Sequence, residues 1–295
     1  MIKIIDTHVH IWDLNILRLP WLDQENPVLK QTYLLQDYEK AVKNDGLYKV
    51  EKAVYIEVDC AREYKIKENN YIINLCSDAN SLYKGAVLSG YMDEPGFPEY
   101  IDHWSKSSSF VKGVRHVLHV PSAKRKTCLK KEFIDNVRYL GKKNLLFEAC
   151  LRNEELEDLC TLAKACPDTK IVLNHMGIVN PDIIAKHNLS EAEKIYKEIW
   201  ISNINKLGSL GNVWCKISGL NPSGEWTENA LKPAVDFAID AFGEDHIVFA
   251  SNYPVCNVST KADPWIKALI NITESRGSLL QQKLFYENAK KLYKL

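Results

Sequence analysis

The sequence has no excess of either charge, no long apolar run and no recognisable leader. Its 38 Lys and Arg residues balance 38 Asp and Glu residues, so no global field attracts nucleic acid or anionic lipid. No apolar stretch approaches the roughly 20 residues that cross a bilayer, and the opening MIKIIDTHVH lacks the apolar region of a secretory signal. We therefore predict a cytoplasmic protein without a nucleic-acid or membrane partner.

Two further absences concern the organisation of the chain. The eight cysteines are scattered and none forms a C-x-x-C motif, so buried reduced thiols are predicted rather than a disulfide framework or a cysteine metal site. No low-complexity tract, charge block or Pro/Gly/Ser-rich linker divides the sequence. With 295 residues, 46% of them hydrophobic, the chain can fill one large core, and we predict a single domain over residues 1–295.

Short runs rich in β-branched residues alternate with helical patterns. Continuous apolar runs such as KAVYIEV and HIVFAS are typical of strands buried on both faces of a parallel sheet. The eight predicted strands span residues 3–8, 52–58, 85–91, 113–118, 145–150, 170–175, 213–218 and 246–251. This α/β pattern predicts a (β/α)8 barrel. A doubly wound open sheet is the alternative, although no glycine-rich phosphate loop follows any strand.

Helix starts can be read between the strands. Ser190 is followed three residues later by Glu193, and Ser278 is followed in the same way by Gln281. This spacing lets the first side chain accept a hydrogen bond from the first turn while the second returns to the cap. Both positions are predicted to begin helices.

In a barrel the active site lies at the carboxyl ends of the strands. The first strand ends with His8 and His10, which point to the same face because side chains two apart in a strand do so. Two such imidazoles can hold a divalent metal or polarise a carbonyl group. Asp6, one step earlier on that face, is predicted to fix the tautomer of one imidazole. A chance spacing of unrelated histidines is the alternative.

Other strands also end in polar residues. His175 ends a buried run and is either a site residue or a hydrogen-bonded core histidine. Arg115, Lys216 and Glu148 are charged residues within strands, and they meet either a substrate or one another. The further substrate-binding candidates near the strand ends are His116, Arg152, Trp12 and Trp21. The two tryptophans either pack on a planar ligand or close the top of the barrel.

Several separated motifs together resemble a known family. These are IIDTHVHIWD, RLPWL, KGVRH, VLNHMG, CKISGL and SNYPV. They resemble the amidohydrolase superfamily of the amidohydrolase 2 type, in its branch of sugar-lactone and dicarboxylate-lactone hydrolases. The resemblance implies a distorted (β/α)8 barrel that hydrolyses a small cyclic ester. It puts His8, His10 and His175 at metal-binding or carbonyl-binding positions, and Arg115 and Lys216 at substrate-binding positions.

One position departs from the family pattern. The eighth strand of relatives ends in S-D-W-P, whereas this chain has Asn252 followed by Tyr253. An amide is a poor metal ligand and takes up no proton at neutral pH, so the expected general base is absent. Glu148, where relatives more often have aspartate, or His175 then remains as the base. We count Asn252 among the catalytic positions.

The resulting prediction is a hydrolase that opens a small sugar-acid or dicarboxylic lactone by water attack. Zinc is the expected ion, with His8, His10, Glu148 and His175 as ligands, although without the aspartate the site is either weak or metal-free. Two alternatives stay open: a metal-dependent decarboxylase on the same barrel, and a non-catalytic protein that binds a sugar acid. The predicted partner is a small molecule, and a homo-oligomer also stays open.

Overall fold

The computed structural model describes residues 1–43 and 46–295. Eight strands form one sheet in the order β1 to β8, and each strand is hydrogen-bonded to its neighbours in that order. The strands are β1 Ile2–Val9, β2 Tyr48–Ile56, β3 Tyr83–Ser89, β4 Val111–Val117, β5 Leu146–Cys150, β6 Ile171–Leu173, β7 Val213–Ile217 and β8 Ile247–Phe249. Each of them overlaps a predicted strand.

Helices follow the strands throughout the chain. They are α1 Leu35–Ala41, α2 Lys65–Ser77, α3 Phe97–Ser107, α4 Lys131–Lys142, α5 Leu156–Ala165, α6 His175–Ile178, α7 Pro181–Ala185, α8 Glu191–Gly208, α9 Glu228–Phe242, α10 Ala262–Glu274, α11 Ser278–Gln282 and α12 Asn288–Tyr293. Sequential parallel strands with helices between them are the order of a (β/α)8 barrel. The predicted fold class is confirmed.

The two predicted helix starts differ in outcome. The Ser190 hydroxyl accepts from the Glu193 amide while the Glu193 carboxylate accepts from the Ser190 amide, so the predicted capping box begins α8. The helix α11 also begins at Ser278, as predicted, but Ser278 and Gln281 form no capping box. Gly277, in a positive-φ conformation at +90°, precedes α11, and no side chain caps that helix. The conformational freedom of glycine replaces the side-chain cap there.

The chain forms two compact units. The amino-terminal unit contains Met1–Ser89, Ser108–Lys112 and Val248–Leu295. In it, β1 pairs in parallel with β2, and β2 pairs with β3. The segment after β8 lies along β1: the Asn252 amide donates to the His8 carbonyl over 2.9 Å, and Val9 bridges Tyr253 in parallel. These contacts join the last strand to the first within this unit.

The central unit contains Gly90–Ser107 and Gly113–Ile247. Its strands β5, β6 and β7 pair in parallel, and β4 pairs with β5 so that Arg115 lies opposite Glu148. Every residue of β5, β6 and β7 is buried. Continuous burial explains why these strands read as apolar runs with few interruptions, and why Glu148 and Lys216 need partners inside the protein.

The eight cysteines are all buried and free, as predicted from their scattered positions. Burial raises the pKa of the Cys76 thiol to about 12, which keeps the thiol protonated at neutral pH. Among the described residues, no helix has the length and apolar character that crossing a membrane requires.

Candidate active site

The histidines of β1 form a close pair in the amino-terminal unit. The Nε2 atoms of His8 and His10 lie 3.0 Å apart, and the two rings meet edge to face with centroids 4.8 Å apart. Both residues are buried. The predicted same-face arrangement is therefore present at the carboxyl end of β1.

A backbone carbonyl fixes the tautomer of this pair. His10 Nδ1 lies 2.8 Å from the Ile56 carbonyl oxygen, which can only accept, so Nδ1 carries the proton. The Nε2 atom of a neutral His10 then offers a lone pair toward His8. Two arrangements suit this contact: His8 Nε2–H donates a hydrogen bond to His10 Nε2, or both Nε2 atoms bind one cation.

Asp6 does not orient an imidazole, and that prediction was wrong. Its carboxylate accepts from the backbone amides of Ser251, over 2.9 Å, and of His8, over 3.2 Å. The Tyr38 hydroxyl donates to its second oxygen over 2.8 Å. Burial raises the pKa of this fully buried carboxyl above its ordinary value. Asp6 thus holds the β1 backbone and the segment after β8, whereas the Ile56 carbonyl orients the ring.

Asn252 lies beside the histidine pair through backbone contacts. The Asn252 backbone amide donates to the His8 carbonyl, and the His10 backbone amide donates to the Tyr253 carbonyl over 2.7 Å. Its φ of +58° is left-handed, a conformation that asparagine adopts more readily than most residues. Although the residue is only 5% exposed, its carboxamide makes no hydrogen bond to any residue within 1–43 or 46–295.

The two candidate tryptophans anchor the loop after β1. Trp12 is fully buried and donates to the Gln31 carbonyl over 2.7 Å, and its ring packs edge to face on Trp21. Trp21 is half-buried and donates to the Val58 carbonyl over 2.8 Å. These contacts agree with the alternative in which the tryptophans pack the loop. Substrate binding by them stays a prediction.

Glu148 and Lys216 form a buried ion pair in the central unit. Lys216 Nζ lies 2.8 Å from Glu148 Oε2, and neither side chain is exposed. Asn174 donates to the same oxygen over 2.5 Å. Of the two readings of these charged residues, the structure shows the one in which they meet each other. The ion pair gives each of these buried charged side chains a partner of opposite charge.

His175 follows β6 in an unusual backbone segment. Residues His175, Met176, Gly177 and Ile178 all have φ values between +50° and +76°. The ring Nδ1 lies 2.8 Å from the Ser218 hydroxyl, which fixes the ring. Gly219 approaches so closely that an added Cβ would lie 2.6 Å from His175 Cβ and Cγ. Backbone strain of this kind clusters at functional sites.

The remaining candidates have protein partners in the central unit. His116 Nδ1 accepts from the Met92 amide over 3.2 Å, and its ring stacks on Phe133. Arg152 donates to the Val120 and Ala123 carbonyls and pairs with Glu155. Arg152 therefore holds the loop after β4. Arg115 is buried in β4, where its register partner is Glu148.

The four predicted metal ligands are not all brought together. Among the described residues, no three His, Cys, Asp or Glu side chains are grouped so that they could hold a metal ion. Glu148 is already neutralised by Lys216. The His8 and His10 nitrogens, 3.0 Å apart, do suit one shared ion, since Zn–N bonds are about 2.0–2.1 Å. His8 and His10 are therefore placed to bind one ion. Binding by all four predicted ligands stays a prediction.

Sequence reasoning missed a polar cluster after β2. Glu68 accepts from the Tyr55 hydroxyl and the Val58 amide, each over 2.8 Å, and Cys60 Sγ lies 3.2 Å from its other oxygen. Burial, and then the charge of nearby Glu57, raise the pKa of Glu68. Glu57 ends an apolar run and Glu68 lies within α2, so no short spacing motif links them. The sequence feature that could have indicated this cluster was Glu57, a carboxylate at the end of an apolar run.

Comparisons with known proteins identify the family of this chain. The amidohydrolase family model matches residues 5–295, so the chain belongs to that family, and the predicted family and hydrolase class are confirmed. A Sinorhizobium fredii protein, y4mH, is 28% identical and covers 100% of this chain and 99% of its own length. An L-fucono-1,5-lactonase of Burkholderia multivorans is 23% identical, over 96% of this chain and 92% of its own.

A solved structure shows the same fold. An amidohydrolase from Burkholderia multivorans, crystallised with bound zinc, has a TM-score of 0.85 at 21% identity and covers 99% of both chains. The agreement in fold extends over nearly the whole length of the chain. It adds no information on the reaction, which must come from the residues.

Proposed function

We propose that this protein opens a small sugar-acid lactone by water attack on the ring ester. The observation that carries the proposal is the His8–His10 pair, with Nε2 atoms 3.0 Å apart at the carboxyl end of β1 in a chain of the amidohydrolase family. The lactonase relative named above supports a sugar lactone as the substrate class. A strained or activated ester is also the substrate for which the missing aspartate matters least.

The proposed roles follow from what each side chain can do. His8 and His10 bind the carbonyl oxygen of the ester, either directly or by holding a divalent ion. When bound, such an ion polarises the carbonyl as a Lewis acid. The Arg115 guanidinium, buried in β4, neutralises the developing oxyanion or, in a dicarboxylic lactone, the free carboxylate.

Two observations favour His175 over Glu148 as the base that activates water. Glu148 is fully buried, and its Oε2 atom faces Lys216 Nζ at 2.8 Å rather than solvent. His175 is 9% exposed and its ring is fixed by Ser218. An imidazole also has an ordinary pKa near neutrality, which suits general-base catalysis at pH 7.

A panel of five- and six-membered aldonolactones, followed by proton release with a pH indicator, tests the function. We expect the wild type to hydrolyse at least one sugar lactone. His175→Asn should lower kcat about 10²- to 10⁴-fold, the usual effect of removing a general base. His187→Asn, the same change at an exposed histidine of the same unit, is the control and should leave kcat unchanged.

The same assay separates the competing roles and functions. Glu148→Gln with a larger loss of kcat than His175→Asn would assign the base to Glu148. Carbon dioxide release without water attack would identify a decarboxylase, and saturable sugar-acid binding with no proton release on any lactone would identify a binding protein. Metal analysis of protein purified without chelator, followed by addition of zinc, shows whether the histidine pair holds an ion.

A further inference from the structure

The side chain of Asn252, in the amino-terminal unit, makes no hydrogen bond to the described residues. A carboxamide has one acceptor oxygen and two N–H donors, and leaving these groups without a hydrogen-bond partner is unfavourable. Asn252 is 5% exposed, yet its side chain has no hydrogen bond within the described residues. Its atoms are also absent from the fully water-excluded unsatisfied groups of that part of the chain, so they retain contact with solvent.

The backbone around Asn252 is fixed, and it is fixed to the histidine pair. The Asn252 amide donates to the His8 carbonyl over 2.9 Å, and Cys256 donates to the Asn252 carbonyl over 2.8 Å. On either side, Ser251 is held by Asp6, and Tyr253 accepts from the His10 amide. These bonds fix the backbone position from which the Asn252 side chain extends, and a fixed donor position favours electrostatic catalysis.

We infer that Asn252 Nδ2 donates a hydrogen bond to the carbonyl oxygen of the lactone, and more strongly to the oxyanion that forms when water adds to that carbon. This inference rests on the proposed function. In that step the water oxygen bonds to the carbonyl carbon, the carbonyl π electrons move to oxygen, and the water proton goes to the base. Asn252 itself gains and loses no proton. At position 252, where relatives have the aspartate base, this chain then has a hydrogen-bond donor.

The central test is Asn252→Gly. Glycine adopts the left-handed backbone without strain and removes only the carboxamide. We expect kcat to fall about 10²- to 10³-fold, the effect of losing one oxyanion donor. Asn144→Gly is the matched control, because Asn144 has a φ of +55° but lies exposed before β5, and it should leave kcat unchanged. Thermal denaturation of both variants shows that they fold.

Asn252→Asp provides a second variant of nearly the same shape. It keeps one acceptor oxygen and replaces the N–H donors with an anionic oxygen that repels the developing oxyanion. We expect kcat at neutral pH to fall below that of the wild type. A rise in kcat would overturn the inference, because position 252 would then act as a base or a metal ligand.

Binding of the lactam isostere, in which N–H replaces the ring oxygen, separates this inference from the proposed function. Calorimetry should show about 3- to 10-fold weaker binding to Asn252→Gly than to the wild type, as expected for one neutral hydrogen bond. If the wild type hydrolyses no lactone, the proposed function fails. Lactam binding alone then decides whether Asn252 binds the carbonyl oxygen. Equal lactam affinity of the two proteins, or no binding by either, would overturn the inference, as would wild-type kcat in Asn252→Gly.

Discussion

The two compact units stabilise buried carboxylates in different ways. In the amino-terminal unit, Asp6 and Glu68 accept hydrogen bonds from backbone amides and tyrosine hydroxyls, and burial raises the pKa of both. In the central unit, Glu148 is neutralised by the Lys216 ammonium at 2.8 Å. Neutral donors do not compensate the charge, whereas a buried cation does.

This difference matters for function because the two units contribute different side chains to the proposed reaction. In the amino-terminal unit the Nε2 atoms of His8 and His10 lie 3.0 Å apart, and the Asn252 backbone amide donates to the His8 carbonyl. In the central unit Glu148 is ion-paired with Lys216. His175, which follows β6, is the base that we propose in this unit.

The largest effect is expected from breaking the ion pair. Lys216→Met removes the cation that lies 2.8 Å from the buried Glu148 carboxylate, so the free energy of unfolding should fall by about 3–5 kcal/mol at pH 7. Urea or guanidinium denaturation measures this loss. The double variant Lys216→Met with Glu148→Gln removes both charges and should recover most of the stability. If the free energy of unfolding of Lys216→Met lies within about 1 kcal/mol of the wild-type value, a stabilising role of the pair is contradicted.

The second effect concerns the close approach of Gly219 to His175. Gly219→Ala adds a Cβ that would lie 2.6 Å from the His175 ring at a φ of +69°, so both steric overlap and backbone strain oppose it. We expect a loss of about 1–3 kcal/mol in unfolding free energy and a fall in kcat. Gly243→Ala, at a φ of +68° with no atom within 4 Å, is the matched control for backbone strain alone. Equal effects of the two changes would show that Gly219 does not position His175.

A smaller effect is expected at Ser218. Ser218→Ala removes the hydroxyl that lies 2.8 Å from His175 Nδ1, and the ring loses its fixed orientation. The free energy of unfolding should fall by about 0.5–1.5 kcal/mol. Because the hydrogen bond orients the proposed base, kcat should fall while KM changes little. A changed KM with unchanged kcat would instead assign Ser218 to substrate binding.

The smallest effect is expected at Glu68, where substitution should reduce the loss of stability between acid and neutral pH. Its pKa is raised in the folded protein, so the folded state binds the proton more tightly than the unfolded state. That contribution to stability is fully present below the ordinary glutamate pKa and is lost as pH rises through the raised value. Glu68→Gln resembles the protonated form and should lose less stability between acid and neutral pH than the wild type. Parallel stability curves of the two proteins would contradict this account.

The fold was predictable because the buried strands are apolar runs, and the histidine pair because a strand alternates its faces. KAVYIEV and HIVFAS each became a strand, and His8 and His10 came together at the end of β1. Long-range partners were not predictable. No spacing in the sequence shows that Ile56 rather than Asp6 orients His10, or that Glu148 meets Lys216 rather than a metal.

The central claim is tested most directly by the rate of proton release from sugar lactones with the wild type and with the double variant His8→Asn, His10→Asn. We predict saturable hydrolysis of at least one aldonolactone by the wild type and its loss in a folded double variant. Undiminished hydrolysis by the double variant, or no hydrolysis by the wild type across five- and six-membered lactones, would contradict the assignment of lactone chemistry to the histidines of β1.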